Sequence, residues 1–271
     1  MDDAAPRDAN TPVAALAALV AAARRGGEIA MDYFRAGAAT HASVTYKAGD
    51  SPVTEADFAV DAALNEILRA AFPHAGWLSE ETEDDHARLH RQSVLVLDPI
   101  DGTRAFMRGD PCWAVALALL EDGRPVAGVI HAPALGETYA AARGFGATLN
   151  GAPIRAARFE TLEGARVGGP RGLRQALATS AGFRAEAGPP SPSLAYRLAS
   201  VAAGQIEIGL AGAGSHDWDI AAADVILEEA GAGLLEGGAR VRYNQASTRH
   251  DALVAAPLEW LARLASAQSE A

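Results

Sequence analysis

Ser93-Val94-Leu95-Val96-Leu97-Asp98-Pro99-Ile100-Asp101-Gly102-Thr103-Arg104-Ala105-Phe106 decides the fold: an aliphatic, β-forming run stops at two carboxylates, a glycine and a hydroxyl. Four consecutive aliphatic residues suit a core strand. Pro99 cannot donate to a ladder, so the sheet is expected to release the chain at Asp98, leaving Asp98 and Asp101 in a turn. Gly102 lets the backbone approach a ligand, and Thr103 is expected to cap a short helix whose free N–H groups face an anion. Oxygen ligands for a hard cation and amides for a phosphate then lie side by side, as metal-assisted phosphoryl chemistry needs. Asp, Pro and Gly are also the commonest turn formers, so an ordinary polar turn is the competing reading of this stretch alone. An aspartyl-phosphate phosphatase, whose strand ends in DxDGT, fits worse: here the aspartates stand three apart and a third of the way along the chain.

Upstream, Thr11-Pro12 opens an alanine-rich helix expected over 12–34, with Thr11 as its cap. Lys47 precedes a turn at Gly49-Asp50-Ser51-Pro52. Thr54 and Asp57 then have capping-box spacing at the start of a second helix ending near Phe72-Pro73. On spacing alone Asp57 is a helix-start carboxylate and Lys47 a solvated cation. The strand candidate 75–79 ends in Glu80-Glu81, a second strand delivering carboxylates. His86 and His90 are four apart but lack the glutamate of a metalloprotease helix.

Downstream, apolar runs at 113–120 and 126–130 flank the hairpin turn Asp122-Gly123, and 137–142 leads to a further hairpin at Asn150-Gly151. This predicts a mainly antiparallel meander. Beyond it, helices over 171–181 and 194–203, a strand over 206–210 and a helix over 218–230 alternate as an α/β layer does. The last helix follows His216-Asp217-Trp218-Asp219, where the helix dipole by itself accounts for acidic residues.

At 271 residues with no linker, the chain is expected to form one intimately packed unit of two parts, 1–155 and 156–271. A net charge of -11 argues against a nucleic-acid polymer or anionic membrane as partner, and no apolar run matches a membrane span. The acidic start Met1-Asp2-Asp3 is unlike a signal peptide, so the expectation is a cytoplasmic protein. Cys112, the single cysteine, excludes an intrachain disulfide and a cysteine-based zinc site.

Lys47, the run 51–57, Glu80-Glu81, the run 98–103 and the run 218–222 together resemble the inositol monophosphatase family, of magnesium-dependent, lithium-sensitive phosphatases. The blocks stand in the family's order and span nearly the whole chain. The resemblance implies a layered α/β/α/β/α fold, two or three Mg2+ ions, a small phosphorylated metabolite as substrate and a homodimer. It implies Glu80, Asp98, the Ile100 carbonyl and Thr103 around one metal, and Asp98, Asp101 and Asp219 around another. By the same resemblance Asp57 orients the Thr103 hydroxyl, Gly102 and Thr103 amides hold phosphate, and Lys47 and Glu81 lie behind the ligands. Ser193 and His216 are the candidate substrate contacts. Two stretches depart from the pattern: Leu210-Ala211-Gly212-Ala213-Gly214-Ser215 lacks the glutamate of inositol-selective members, and Ser191-Pro192-Ser193 replaces glycine-serine. Bisphosphate nucleotidase and histidinol-phosphate phosphatase are therefore alternatives within the enzyme class, and a noncatalytic metal- or phosphate-binding module is the alternative outside it.

Overall fold

The computed structural model describes residues 11–47 and 51–269; the turn expected at Gly49 and Asp50 lies outside them. Helix α1 (Pro12–Tyr33) starts as the sequence predicts, with Thr11 accepting from the Ala14 N–H and Pro12 in the first turn. A short ribbon, β1 (Val44–Tyr46) against β2 (Pro52–Thr54), leads into α2 (Glu55–Ala71). The first large sheet then runs β3 (Gly76–Ser79), β4 (Ser93–Asp101), β5 (Ala114–Glu121), β6 (Arg124–Ala132), β7 (Glu137–Ala142), β8 (Ala147–Leu149) and β9 (Ala152–Ile154) in spatial order. Only β3 and β4 pair in parallel; the rest is the expected meander. Its hairpins turn at Asp122-Gly123 and Asn150-Gly151, all four residues at positive φ.

After the short helix α3 (Thr103–Arg108) between β4 and β5, the second half adds β10 (Arg166–Gly168), α4 (Arg171–Ala181), β11 (Glu186–Ala187) and α5 (Leu194–Ala202). It continues with β12 (Ile208–Ala211), α6 (Asp217–Ala230), β13 (Ala232–Glu236), β14 (Ala239–Arg240), β15 (Leu253–Pro257) and α7 (Leu258–Ser269). The second sheet has the order β11-β10-β12-β15-β13-β14 and is mixed. Among the described helices none is long and apolar enough to cross a membrane.

Side-chain alternation on β4 and β5 shows how the layers stack. Leu95, Leu97, Val115 and Leu117 pack with α1 and α2 on one face. Val94, Val96, Ala116 and Ala118 face the other way, onto α5, α6 and the second sheet. On that sheet's far face Ile208, Leu210, Val254 and Ala256 meet α4 and α7. The order is therefore α/β/α/β/α, as expected. Small residues allow the close spacing: a Cβ on Gly128 of β6 would come within 2.7 Å of the Ala222 carbonyl on α6.

The end of β4 differs from the sequence expectation. The strand does not stop at Asp98; it continues through Pro99 to Asp101, with a register shift against β5 between Asp98 and Asp101. Proline is tolerated there because β3 ends at Ser79, opposite Leu97, so beyond that pair β4 has a partner on one side only. Thr103 is not a cap either. The cap position of α3 belongs to Gly102, at φ +94°, and Thr103 is the first helical residue.

Candidate metal centre and active site

The irregular end of β4 aims both of its aspartates at one place. Ile100 N–H donates to Asp98 Oδ1 at 2.9 Å, which fixes that carboxylate inside the bulge. Asp101 is held from across the layer boundary by the start of α5. Its Oδ2 accepts from Ser193 Oγ at 2.5 Å and Ala195 N at 2.6 Å, and Oδ1 from Leu194 N at 3.3 Å. A helix start is a natural seat for a carboxylate, since its N–H groups lack intrahelical partners. The third carboxylate comes from α6, where Asp219 Oδ2 accepts from His216 N at 2.6 Å.

One oxygen from each of Asp98, Asp101 and Asp219 lies within 4.8 Å of the others. Asp98 and Asp101 are 2% and 6% exposed. Burial pushes Asp101 up to about 6 and lifts Asp98 and Asp219 well above the usual carboxylate range, and mutual repulsion adds to the rise of Asp98 and Asp219. Like charges so close and so dry ionise together only around a cation. An all-oxygen donor set of this kind suits a hard divalent ion, so the residues present fit the metal that the sequence implies.

Glu80, Asp98, Asp101, Gly102, Thr103 and Asp219 all line one open cavity of about 300 Å3. Glu80 shares the cavity but stands outside the tight trio: its Oε1 is 3.2 Å from Lys47 Nζ. Lys47 also reaches the Glu80 carbonyl at 3.3 Å and Glu81 Oε1 at 2.8 Å. Burial works against its charge, but the two glutamates outweigh it and raise its pKa. Burial in turn pushes Glu81 up to about 7. Lys47 is thus no solvated loop cation.

Asp57 caps α2 and also stands beside Thr103. Its Oδ2 accepts from Thr54 N at 2.8 Å and Thr54 Oγ1 at 2.6 Å, completing the capping box of α2. Its Oδ1 is 3.4 Å from Thr103 Oγ1, which lies 3.1 Å from the Ile100 carbonyl. The Thr103 hydroxyl has one proton for two acceptors, so a lone pair stays available on the cavity side. Gly102 is favoured by its φ of +94°, and a Cβ there would sit tightly, 3.3 Å from the Cys112 carbonyl and from Ser193.

The two expected substrate contacts have protein partners of their own. Ser193 is fully buried and turns its hydroxyl to Asp101. His216 stacks on Trp218 at 4.5 Å between ring centroids, with Nδ1 on Thr248 Oγ1 at 2.8 Å, and is not among the cavity residues. Arg104 and Arg108, to which the sequence assigned no role, line the cavity, as do Ser51, Pro52 and Pro192 from stretches that it did single out. The four-residue spacing of the arginines, one face of a helix, was the available signal.

A family model described as the inositol monophosphatase family matches residues 12–271. The chain belongs to the inositol monophosphatase family. A histidinol-phosphatase of Mycobacterium tuberculosis is 35% identical over 208 residues, 68% of this chain and 74% of that one. A histidinol-phosphatase of Chlorobaculum parvum is 39% identical over 133 residues, 49% of each chain, so the match spans about half the length of that relative. The solved structure of a Thermotoga maritima IMPase superposes with a TM-score of 0.77 at 26% identity, covering 94% of this chain and 97% of that one. Family and relatives are phosphoric monoester hydrolases, and the family is metal-dependent. The acidic cluster described above is where this family member can hold its metal.

Proposed function

We propose that this phosphatase hydrolyses a small phosphomonoester with Mg2+ as its metal, using two or three ions and a water nucleophile. The observation that carries the reading is the trio Asp98, Asp101 and Asp219, brought within 4.8 Å from both halves of the chain. Asp98, with Glu80, the Ile100 carbonyl and Thr103, would hold one ion; Asp98, Asp101 and Asp219 would hold another. Bound magnesium would supply an acidified water and neutralise charge on the phosphate and the leaving oxygen.

The chain's own groups do the rest. Thr103 Oγ1 directs its proton toward Asp57 Oδ1 or the Ile100 carbonyl and offers a lone pair to the attacking water. Gly102 and Thr103 amides, at the open start of α3, hold phosphate oxygens as charge builds on them. Lys47 keeps Glu80 and Glu81 together at the edge of the aspartate cluster. Attack is in line, and no phosphoenzyme forms. An inositol monophosphate-like substrate is the first reading, with histidinol phosphate and 3'(2'),5'-bisphosphate nucleotides as the alternatives; the similarity to histidinol-phosphatases supports the first of these alternatives. Residues 1–155 and 156–271 act as one cytoplasmic unit that pairs as a homodimer.

Phosphate release tests the reading, measured with inositol monophosphate, histidinol phosphate, 3',5'-adenosine bisphosphate and sugar phosphates, each with Mg2+ or chelator. Magnesium-dependent turnover of one of them is expected. Binding without turnover across the panel would favour the noncatalytic module.

A further inference from the structure

One face of α2 serves the active site twice. Asp57 points to Thr54 and Thr103, and one helical turn later Asp61 points to the end of β3. Asp61 Oδ1 accepts from Ser79 Oγ at 2.5 Å, and Oδ2 accepts from Thr82 Oγ1 at 3.0 Å. These two hydroxyls flank Glu80-Glu81. Ser79 Oγ also accepts from the Glu81 N–H at 3.2 Å, so a chain of bonds runs from α2 into the backbone of the glutamate pair. Ser79 is 2% exposed, and its hydroxyl thus has a partner on both sides.

Lys47 holds the same two glutamates by their side chains, with the Glu80 carboxylate 3.2 Å and the Glu81 carboxylate 2.8 Å from its ammonium. The Asp61 clamp braces the Glu80-Glu81 segment, together with the bond from the Glu80 N–H to the Leu97 carbonyl at 3.3 Å. We propose that Asp61 is a positioning residue that, through Ser79 and Thr82, sets the direction of Glu80 and thereby the affinity of the active site for Mg2+. The proposal rests on reading Glu80 as a metal ligand. Partners behind a ligand fix its orientation, and their loss typically weakens metal binding about 10- to 100-fold. Asp61 is half-buried, so replacing it leaves the apolar core of α2, built on Val60, Leu64 and Leu68, intact.

The test is Mg2+ titration calorimetry on the full chain without substrate, for Asp61→Ala, Asp61→Asn, Ser79→Ala and Glu80→Gln. Asp61→Ala is expected to weaken Mg2+ binding by about tenfold or more, and Asp61→Asn by less, since its amide oxygen still accepts from Ser79. Asp61→Ala and Ser79→Ala combined should fall short of the product of the single effects, because the two act through one chain of bonds. At saturating Mg2+ the KM for substrate should stay within about twofold, a split that general loosening of the fold would not produce. Should Asp61→Ala fail to fold, Asp61→Asn and Ser79→Ala carry the same comparison. Normal Mg2+ affinity in the Asp61 and Ser79 variants, with weakened binding in Glu80→Gln, would overturn the positioning role alone. Normal affinity in Glu80→Gln would remove the ligand on which the proposal rests, and the proposal with it.

Discussion

Asp57→Asn separates the price of burying a carboxylate from the use the enzyme makes of it. Asp57 is fully buried, and burial raises its pKa from 3.8 to about 6. Because the folded-state value lies above the unfolded one, ionising Asp57 works against folding. Its relative stabilisation is fully present in acid and is lost as pH rises through about 6. The rise from 3.8 to about 6 converts, at about 1.4 kcal/mol per pH unit, to about 3 kcal/mol. A carboxamide accepts the two Thr54 bonds without ever ionising, so the capping box survives the change. In chelator, then, the variant and the parent should unfold alike near pH 4 by scanning calorimetry. Near pH 8 the variant should melt higher, on the order of 5 °C for a chain of 271 residues. Turnover should nonetheless collapse, because Thr103 has lost the acceptor that orients it. A loss of stability of equal size at every pH would refute this reasoning and make Asp57 a capping residue above all.

Asp98→Asn and Asp101→Asn should each lower kcat about a thousandfold or more while the protein stays folded, measured by phosphate release and circular dichroism; near-normal magnesium-dependent activity in either would remove it from the ligand set. Thr103→Ala should cut kcat far more than it raises KM, since its contact with the attacking water matters mainly in the transition state; a change confined to KM would reject the water-orienting role. Gly102→Ala should lower both stability and activity, because φ +94° strains any L side chain and the added Cβ presses on the Cys112 carbonyl at 3.3 Å. Unchanged melting of that variant would show that the β4–α3 corner has more room than its geometry indicates.

The fold was largely legible because its signals are local. The aliphatic run 94–97, the positive-φ turns at Asp122-Gly123 and Asn150-Gly151, and the Thr54/Asp57 capping box each act over a few residues, and each forms as expected. Pro99 misled because the rule against proline inside a sheet assumes a neighbour on both sides, and β3 ends before Pro99 is reached. The candidate ligands could be named through the family pattern, whereas what holds their side chains could not. The seat of Asp101 on the start of α5 joins residues 92 to 94 apart in the chain. A serine before a helix signals a cap, and Ser193 does accept from Tyr196 N, but nothing local tells that its proton goes to Asp101. His216 likewise has a partner that nothing local announces: its Nδ1 lies against Thr248 Oγ1, 32 residues on, while its ring stacks on Trp218.

The central claim is that a carboxylate from α6 completes, across the layer boundary, a magnesium site begun at the end of β4. Mg2+ titration calorimetry of the wild type beside Asp219→Asn, both freed of metal and without substrate, tests it most directly. Asparagine keeps an oxygen for the His216 N–H but is the poorer ligand for a hard cation, so capping and coordination part company in this variant. The account predicts clear Mg2+ binding by the wild type, binding weakened about tenfold or more in the variant, and melting in chelator no lower than that of the wild type. Equal Mg2+ affinity in the two proteins would contradict it.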